Sequence, residues 1–210
     1  MSHADDRRSV LKGAAFATAV AIGAPLAVRA QGKSALNLAM VAEPPTLDVQ
    51  STPADLVCII MQHVYETLYT FDAKANLVPM LAEALPKVSA DGKLYSIALR
   101  KGVKLHNGRE LDAEDVVASL KRWMEVSPRG KSVSAQVESL AAKGPLAVEI
   151  ALKDAYAPLL AQLAMPSGMA AIMAKESLAQ PLKEFVGTGP YQFKERKPDQ
   201  YVLLTRFGDY

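Results

Sequence analysis

The chain is poor in the residues from which active sites are usually built. One cysteine in 210 residues, Cys58, allows no disulfide within the chain and no Cys-x-x-Cys pair. The three histidines are His3, His63 and His106. His63 and Glu66 stand one helical turn apart but lack a third partner, so they are read as an ordinary pair rather than a metal site. Aromatics make up only 6% and no basic stripe interleaves with them, which argues against a nucleic-acid surface. There is no Gly-x-Ser-x-Gly elbow. Gly187-Thr188-Gly189 runs into proline and a strand rather than a helix, so it is not a phosphate loop. Six of the eight methionines (Met61, Met80, Met124, Met165, Met169, Met173) are scattered and read as core fillers, as does Cys58. With no nucleophile, base and metal brought together, an enzyme is not expected and no cofactor is expected.

Half the residues are apolar and 22% are charged, as in a soluble globular protein large enough to bury a core. The net charge of +2 resides in the first 30 residues, and the remainder is balanced. Asp6-Arg7-Arg8-Ser9-Val10-Leu11-Lys12 fits a twin-arginine export pattern. An Ala-rich apolar stretch from Gly13 to Ala27 follows, with Val28-Arg29-Ala30 placing cleavage after Ala30. At about 15 residues, with Gly23 and Pro25 inside it, the stretch falls short of the roughly 20 that a spanning helix needs. No cysteine follows to carry a lipid, so a free periplasmic protein is expected.

The most regular stretch runs from Asp91 to Trp123. Tyr95, Ile97 and Leu99 alternate with Ser96, Ala98 and Arg100, the period of a strand with one buried face. Lys101-Gly102 and Asn107-Gly108 mark turns, and Val103 and Leu105 resume the alternation between them. Asp112 stands at the N-cap of a helix, able to accept from the amide of Glu114 or Asp115. Leu111 and Val116 form a hydrophobic staple. Glu114 and Asp115 suit the positive end of the helix dipole, and Lys121 and Arg122 the negative end. Val116, Val117, Leu120, Trp123 and Met124 form an apolar stripe at helical spacing.

Elsewhere the patterns predict strands at Leu36–Val41, Leu68–Phe71, Pro86–Ser89, Leu146–Leu152, Met169–Met173, Tyr191–Arg196 and Tyr201–Arg206. Helices are predicted at Pro53–Glu66, Tyr156–Ala164 and Lys175–Ala179. Ser127–Ser132 reads as a loop, and Ala135–Leu140 as either helix or strand. The two glycines of Gly187-Thr188-Gly189-Pro190 predict unusual dihedrals and close approach of another backbone.

The Asp91–Trp123 block resembles the signature of the family 5 bacterial solute-binding proteins, the dipeptide and oligopeptide receptors of ABC importers. Agreement runs from Asp91 to Lys93, through Tyr95, from Leu99 to Lys104, and over Ala113–Val117 and Ser119–Arg122, with His106, Gly108 and Leu111. Glu43-Pro44-Pro45-Thr46-Leu47-Asp48 is similar to the opening motif of that family, with Val49 where proline is usual. Tyr65-Glu66-Thr67-Leu68 and Gly187-Thr188-Gly189-Pro190-Tyr191 match two further motifs, and Arg206–Tyr210 resembles a third. Leu85 stands where the family has tryptophan.

The resemblance implies an α/β, two-lobed fold of the periplasmic binding protein type with an extra inserted domain. Residues 1–30 are then the signal peptide, 31–66 and 181–210 parts of domain I, and 67–180 domain II. It implies a periplasmic, monomeric receptor that closes on a peptide or other small-molecule ligand and delivers it to the ABC permease in the membrane. Its implied ligand contacts are Thr46, Ser51, Thr52, Pro53, Ala54 and Asp55 in the first loop and Gly187, Thr188 and Gly189 near the hinge. For both groups a structural role competes with direct contact. Relatives extend well beyond the counterpart of Tyr210, and the choice among peptides, nickel chelates, haem, opines and sugars rests largely on that further part. The chain is therefore expected to be the front of such a receptor, as a fragment or a truncated product. The alternative is a non-binding interaction module of the same fold.

Overall fold

The alternation after Asp91 folds as a strand because one face meets a helix and the other meets water. In the computed structural model, which describes residues 35–210, β4 spans Leu94–Ala98, with Tyr95 and Ile97 buried. The twin-arginine segment and the cleavage position lie outside the described residues. Three β elements precede β4: β1 (Tyr69–Phe71), β2 (Leu77–Pro79) and β3 (Lys87–Val88). β1 and β2 form an antiparallel pair. β4 lies between β3 and β6 (Ala147–Leu152), and β5 (Val137–Ala142) closes an antiparallel sheet of order β3-β4-β6-β5. Helix α2 (Ala113–Val126) covers this sheet. Its apolar stripe, with Val116, Val117, Leu120 and Trp123 buried, joins Ile97, Val148, Ile150 and Leu152 in one core. Leu111 and Val116 are both in that core, as a staple requires.

Helix α2 starts as the sequence predicts. The Asp112 carboxylate accepts from the amide of Asp115 at 2.9 Å, and the Asp115 carboxylate accepts from the amide of Asp112 at 3.0 Å, a reciprocal capping box. Arg122 departs from the expectation. It does not serve the negative end of the dipole but turns inward, with 6% of the residue exposed.

Four other expectations are revised. Leu36–Val41 forms no strand: no chain pairs with it among the described residues, and Leu36, Leu38 and Val41 are exposed. A strand needs a partner for its backbone groups. The first helix, α1 (Asp55–Met61), is shorter than expected because the chain turns after Met61. That turn frees the His63 and Val64 carbonyls to accept from Tyr191 and Gly189. Pro128–Ser134 is a helix, α3, rather than a loop. Pro128 stands at its first turn, where a missing N–H is harmless. Gly130 signals close packing there, since a Cβ at that position would collide with the Trp123 carbonyl. Finally, Val103 and Leu105 do not form a full strand; only an isolated bridge joins Lys104 and Glu110. After α4 (Leu159–Ala164), a 3-10 turn at Lys175–Ser177 leads toward the hairpin of β7 (Tyr191–Lys197) and β8 (Tyr201–Arg206).

A second core holds Leu47, Val49, Val57, Cys58, Met61, Val64 and Tyr65, with Phe193, Val202 and Leu204 of the hairpin packed against it. Met169–Ala174 separates the two cores. Met169, Ala171 and Met173 belong to the second, while Ala170, Ile172 and Ala174 belong to the first. The segment therefore has the period of a strand, as expected. Among the described residues its only bridge pairs Ile172 with Glu66, however, and its other edge is occupied by side chains of α2.

The two glycines of the Gly187–Gly189 loop serve close approach alone. Neither has a positive φ, unlike Gly102 and Gly108 at the predicted turns, with φ of 77° and 85°. A Cβ on Gly189 would lie 2.5 Å from the His63 carbonyl oxygen and 2.8 Å from the Val64 carbonyl carbon. His106 clamps the same loop from the signature block. Its Nε2 lies 2.8 Å from the Gly189 carbonyl, and the Gly187 amide donates to its Nδ1 at 3.3 Å. That pair of contacts selects the neutral ring with the proton on Nε2. Burial lowers the pKa of His106 below its ordinary value of 6.5 in the same sense.

Two outcomes follow from this loop. Gly189→Ala should destabilise the protein by about 2–3 kcal/mol, because the obstructing atoms are backbone and cannot rotate away; a denaturant melt measures it. For His106, the neutral ring is favoured by folding, so its contribution is complete above about pH 6.5 and is lost as pH falls through the lower folded value. The unfolding free energy of the protein relative to His106→Gln should therefore shrink between pH 7 and pH 5. A difference that stays constant over that range would reject the assigned tautomer.

Candidate functional site

The first loop is built around Asp48. Its amide donates to the Thr46 hydroxyl at 3.1 Å, and its carboxylate accepts from the Gln50 amide at 3.2 Å. Its carbonyl accepts from both the amide and the hydroxyl of Ser51, at 3.2 and 3.0 Å. Thr52 Oγ1 accepts from the Ala54 amide at 3.2 Å, and Asp55 opens α1. Ser51, Pro53 and Asp55 are exposed, while Thr46, Thr52 and Ala54 are half-buried. The loop thus presents short polar side chains to solvent while its backbone is held by local turns. Ser167 anchors its far end by donating to the Pro53 carbonyl at 2.9 Å.

Beneath the loop lies a buried polar cluster. Arg122 reaches Asp48 through both terminal nitrogens, at 2.6 and 3.1 Å, and donates to Gln50 Oε1 at 2.8 Å. The amide of the Gln50 side chain donates to the carbonyls of Ala171 at 2.8 Å and Ser119 at 3.1 Å. Ser119 in turn both donates to and accepts from Met173, at 3.0 and 2.9 Å. The Tyr65 hydroxyl is also interior, and burial pushes its pKa well up.

The second predicted group is placed differently. Gly187, Thr188 and Gly189 are all buried against the turn that follows α1. Among the described residues no hydrogen bond joins this loop to the first one. Nearby, Glu66 is 8% exposed and accepts from the Tyr210 hydroxyl at 3.2 Å, and its burial raises the carboxyl pKa. His63 Nδ1 lies 3.2 Å from the Ile60 carbonyl, and its ring stacks edge-on with Tyr191. Among the described residues no three His, Cys, Asp or Glu side chains converge to hold a metal.

Sequence reasoning missed Arg122, Asp48, Gln50 and Ser119 as a unit. One signal was present. Asp115, Ser119 and Arg122 fall at i, i+4 and i+7, a second stripe on α2 that is polar yet buried. The sequence reading assigns Asp115 and Arg122 to the two ends of the helix dipole instead.

Comparison with known proteins bears on this arrangement. The family described as bacterial extracellular solute-binding proteins, family 5 Middle, matches residues 76–210. The chain is 30% identical over 153 residues to the nickel-binding periplasmic protein of Escherichia coli (strain K12), covering 70% of this chain and 29% of that protein. It is 30% identical over 171 residues to a glutathione-binding protein of Pectobacterium atrosepticum, covering 79% and 33%. Among solved structures, the dipeptide-binding protein of Pseudoalteromonas sp. SM9913 in complex with Met-Leu superposes with a TM-score of 0.72 at 28% identity, covering 80% of this chain and 39% of that one. The chain spans about a third of the length of the curated relatives it matches. Its α/β fold is that of the matched two-lobed binding proteins, and the chain belongs to the family 5 bacterial extracellular solute-binding proteins.

Proposed function

We propose that this chain is part of the periplasmic substrate-binding component of an ABC importer, which captures a peptide or a related small solute and delivers it to the membrane permease. The family match over residues 76–210 carries this reading. Relatives named for nickel, glutathione and dipeptide binding bracket the ligand class. The protein acts as a monomer and not as an enzyme. Ligand closes two lobes by shifting the population from open to closed.

Residues 31–66 and 181–210 are assigned to domain I, and 67–180 to domain II. The membership of the two cores supports most of that division: one is built from residues of 68–174, the other from residues of 47–65 with Met169, Ala171 and Met173, and the β7–β8 hairpin packs against it. Thr46 and Ser51–Asp55 are assigned to the ligand-facing surface, on the ground that their short polar groups are exposed or half-buried on a held backbone. Gly187, Thr188 and Gly189 act from behind, fixing the turn after α1. Export follows the twin-arginine route, with cleavage after Ala30.

Protein purified from the periplasm should gain several degrees in melting temperature with at least one of Met-Leu, glutathione or nickel. Ligand at 100 times its Kd stabilises by about 2.7 kcal/mol. A cooperative melt that none of the three shifts would speak against solute capture. Periplasmic protein should begin at Gln31 by N-terminal sequencing, and replacing Arg7 and Arg8 together by lysine should leave the precursor in the cytoplasm. Unchanged export of that variant would reject the twin-arginine route.

A further inference from the structure

We propose that Arg122 is a positioning residue for the ligand-facing loop, acting through Asp48 on Ser51; this rests on the reading of residues 46–55 as ligand-facing. The relay is continuous from Arg122 to Ser51. Both terminal nitrogens of Arg122 hold the Asp48 carboxylate, with 5% of the Arg122 side chain and 14% of the Asp48 side chain exposed. The same carboxylate accepts from the Gln50 amide, and the Asp48 carbonyl accepts from the backbone and the hydroxyl of Ser51. The guanidinium also holds Gln50, whose other end is tied to Ser119 and Ala171. The orientation of an exposed serine is thereby set from a helix that begins 62 residues further along the chain.

The chemistry of the pair favours geometry over stability. Burying two charges carries a desolvation penalty that offsets much of their attraction, so an apolar pair of similar volume would hold the fold about as well. What an apolar pair cannot do is fix the rotation of a peptide. A planar guanidinium gripping both oxygens of a carboxylate allows one orientation, and Asp48 is the residue on which the loop's turns converge. A loop fixed in advance gives up less freedom when ligand arrives, and this appears as tighter binding.

Arg122→Lys keeps the charge and removes the two-pronged grip. In periplasmic protein, at a temperature where circular dichroism shows every variant folded, it should weaken binding of a Met-Leu probe about tenfold. In a Ser51→Ala background the same substitution should add less than about twofold, because the relay already ends there. Hydrogen exchange without any ligand should quicken over residues 46–55 while Ala113–Val126 and Met169–Lys175 keep their protection. If Arg122→Lys fails to fold, Asp48→Asn tests the same link, because one amide oxygen replaces the two gripped by the guanidinium. A lowered melting temperature with unchanged affinity and unchanged exchange in the loop would overturn the proposal. So would an equal loss of affinity with Ser51 absent. If the unaltered protein binds no Met-Leu, the assignment of that ligand fails, and the exchange measurement still decides whether Arg122 holds the loop.

Discussion

Met169–Ala174 places six buried residues in succession between two cores, and its backbone groups have no water to bond. Buried amides and carbonyls must be paired within the protein, and the rest of the structure is arranged to do so. On one edge the amides of Ile172 and Ala174 donate to the carbonyls of Glu66 and Val186. On the other edge stands a helix, which has no free backbone groups to offer, so α2 supplies side chains instead. Descending the helix, the Asp115 carboxylate accepts from the Lys175 amide and Ser119 takes both polar groups of Met173. Gln50, held by Arg122, donates to Ala171, and Trp123 Nε1 donates to Gly168 at 2.8 Å. The helix substitutes for a missing strand.

That role explains the composition of α2. It is apolar toward the four-stranded sheet and polar toward the central segment, and both faces are buried. Its N-terminus is correspondingly well fixed. Asp115 receives four donors on two oxygens: both terminal nitrogens of Arg109 and the amides of Asp112 and Lys175. This fills the acceptor capacity of a carboxylate. Around it, the hydrogen bond from Arg109 holds the Glu176 carboxyl below its usual range, and the Asp112 carboxylate raises the Lys175 ammonium. These outer pairs are partly exposed and contribute little to stability. Their effect is to keep the helix in register with the segment it serves.

The relation between the loops is a consequence of the same constraint. Gln50 of the first loop donates to Ala171, while the carbonyls of His63 and Val64, left free by the early end of α1, receive the amides of Tyr191 and Gly189. His106 then ties the turn of the signature block to the Gly187–Gly189 loop. The conspicuous sequence motifs therefore meet as neighbours around one interior segment. Their regularity reflects packing demands, and Ser51, Pro53 and Asp55 of the first loop are exposed.

Local chemistry determined much of this fold. The alternation of Leu94–Arg100, the Asp112 cap, the glycine turns at 102 and 108, the strand at Leu146–Leu152 and the closing hairpin were legible because each depends on periodicity, capping or turn geometry within a few residues. The resemblance carried by the signature block likewise led to the right family. Tertiary structure decided the direction of Arg122, the early end of α1, the helix at Pro128–Ser134 and the unpaired state of Leu36–Val41. For two of these the deciding partner lies far along the chain, Asp48 for Arg122 and Gly189 and Tyr191 for the end of α1, while Leu36–Val41 finds no ladder partner among the described residues and α3 packs Gly130 on the end of α2. A charged residue on a helix is indifferent to burial until something meets it, and what meets it is set by the three-dimensional path rather than by neighbours in sequence.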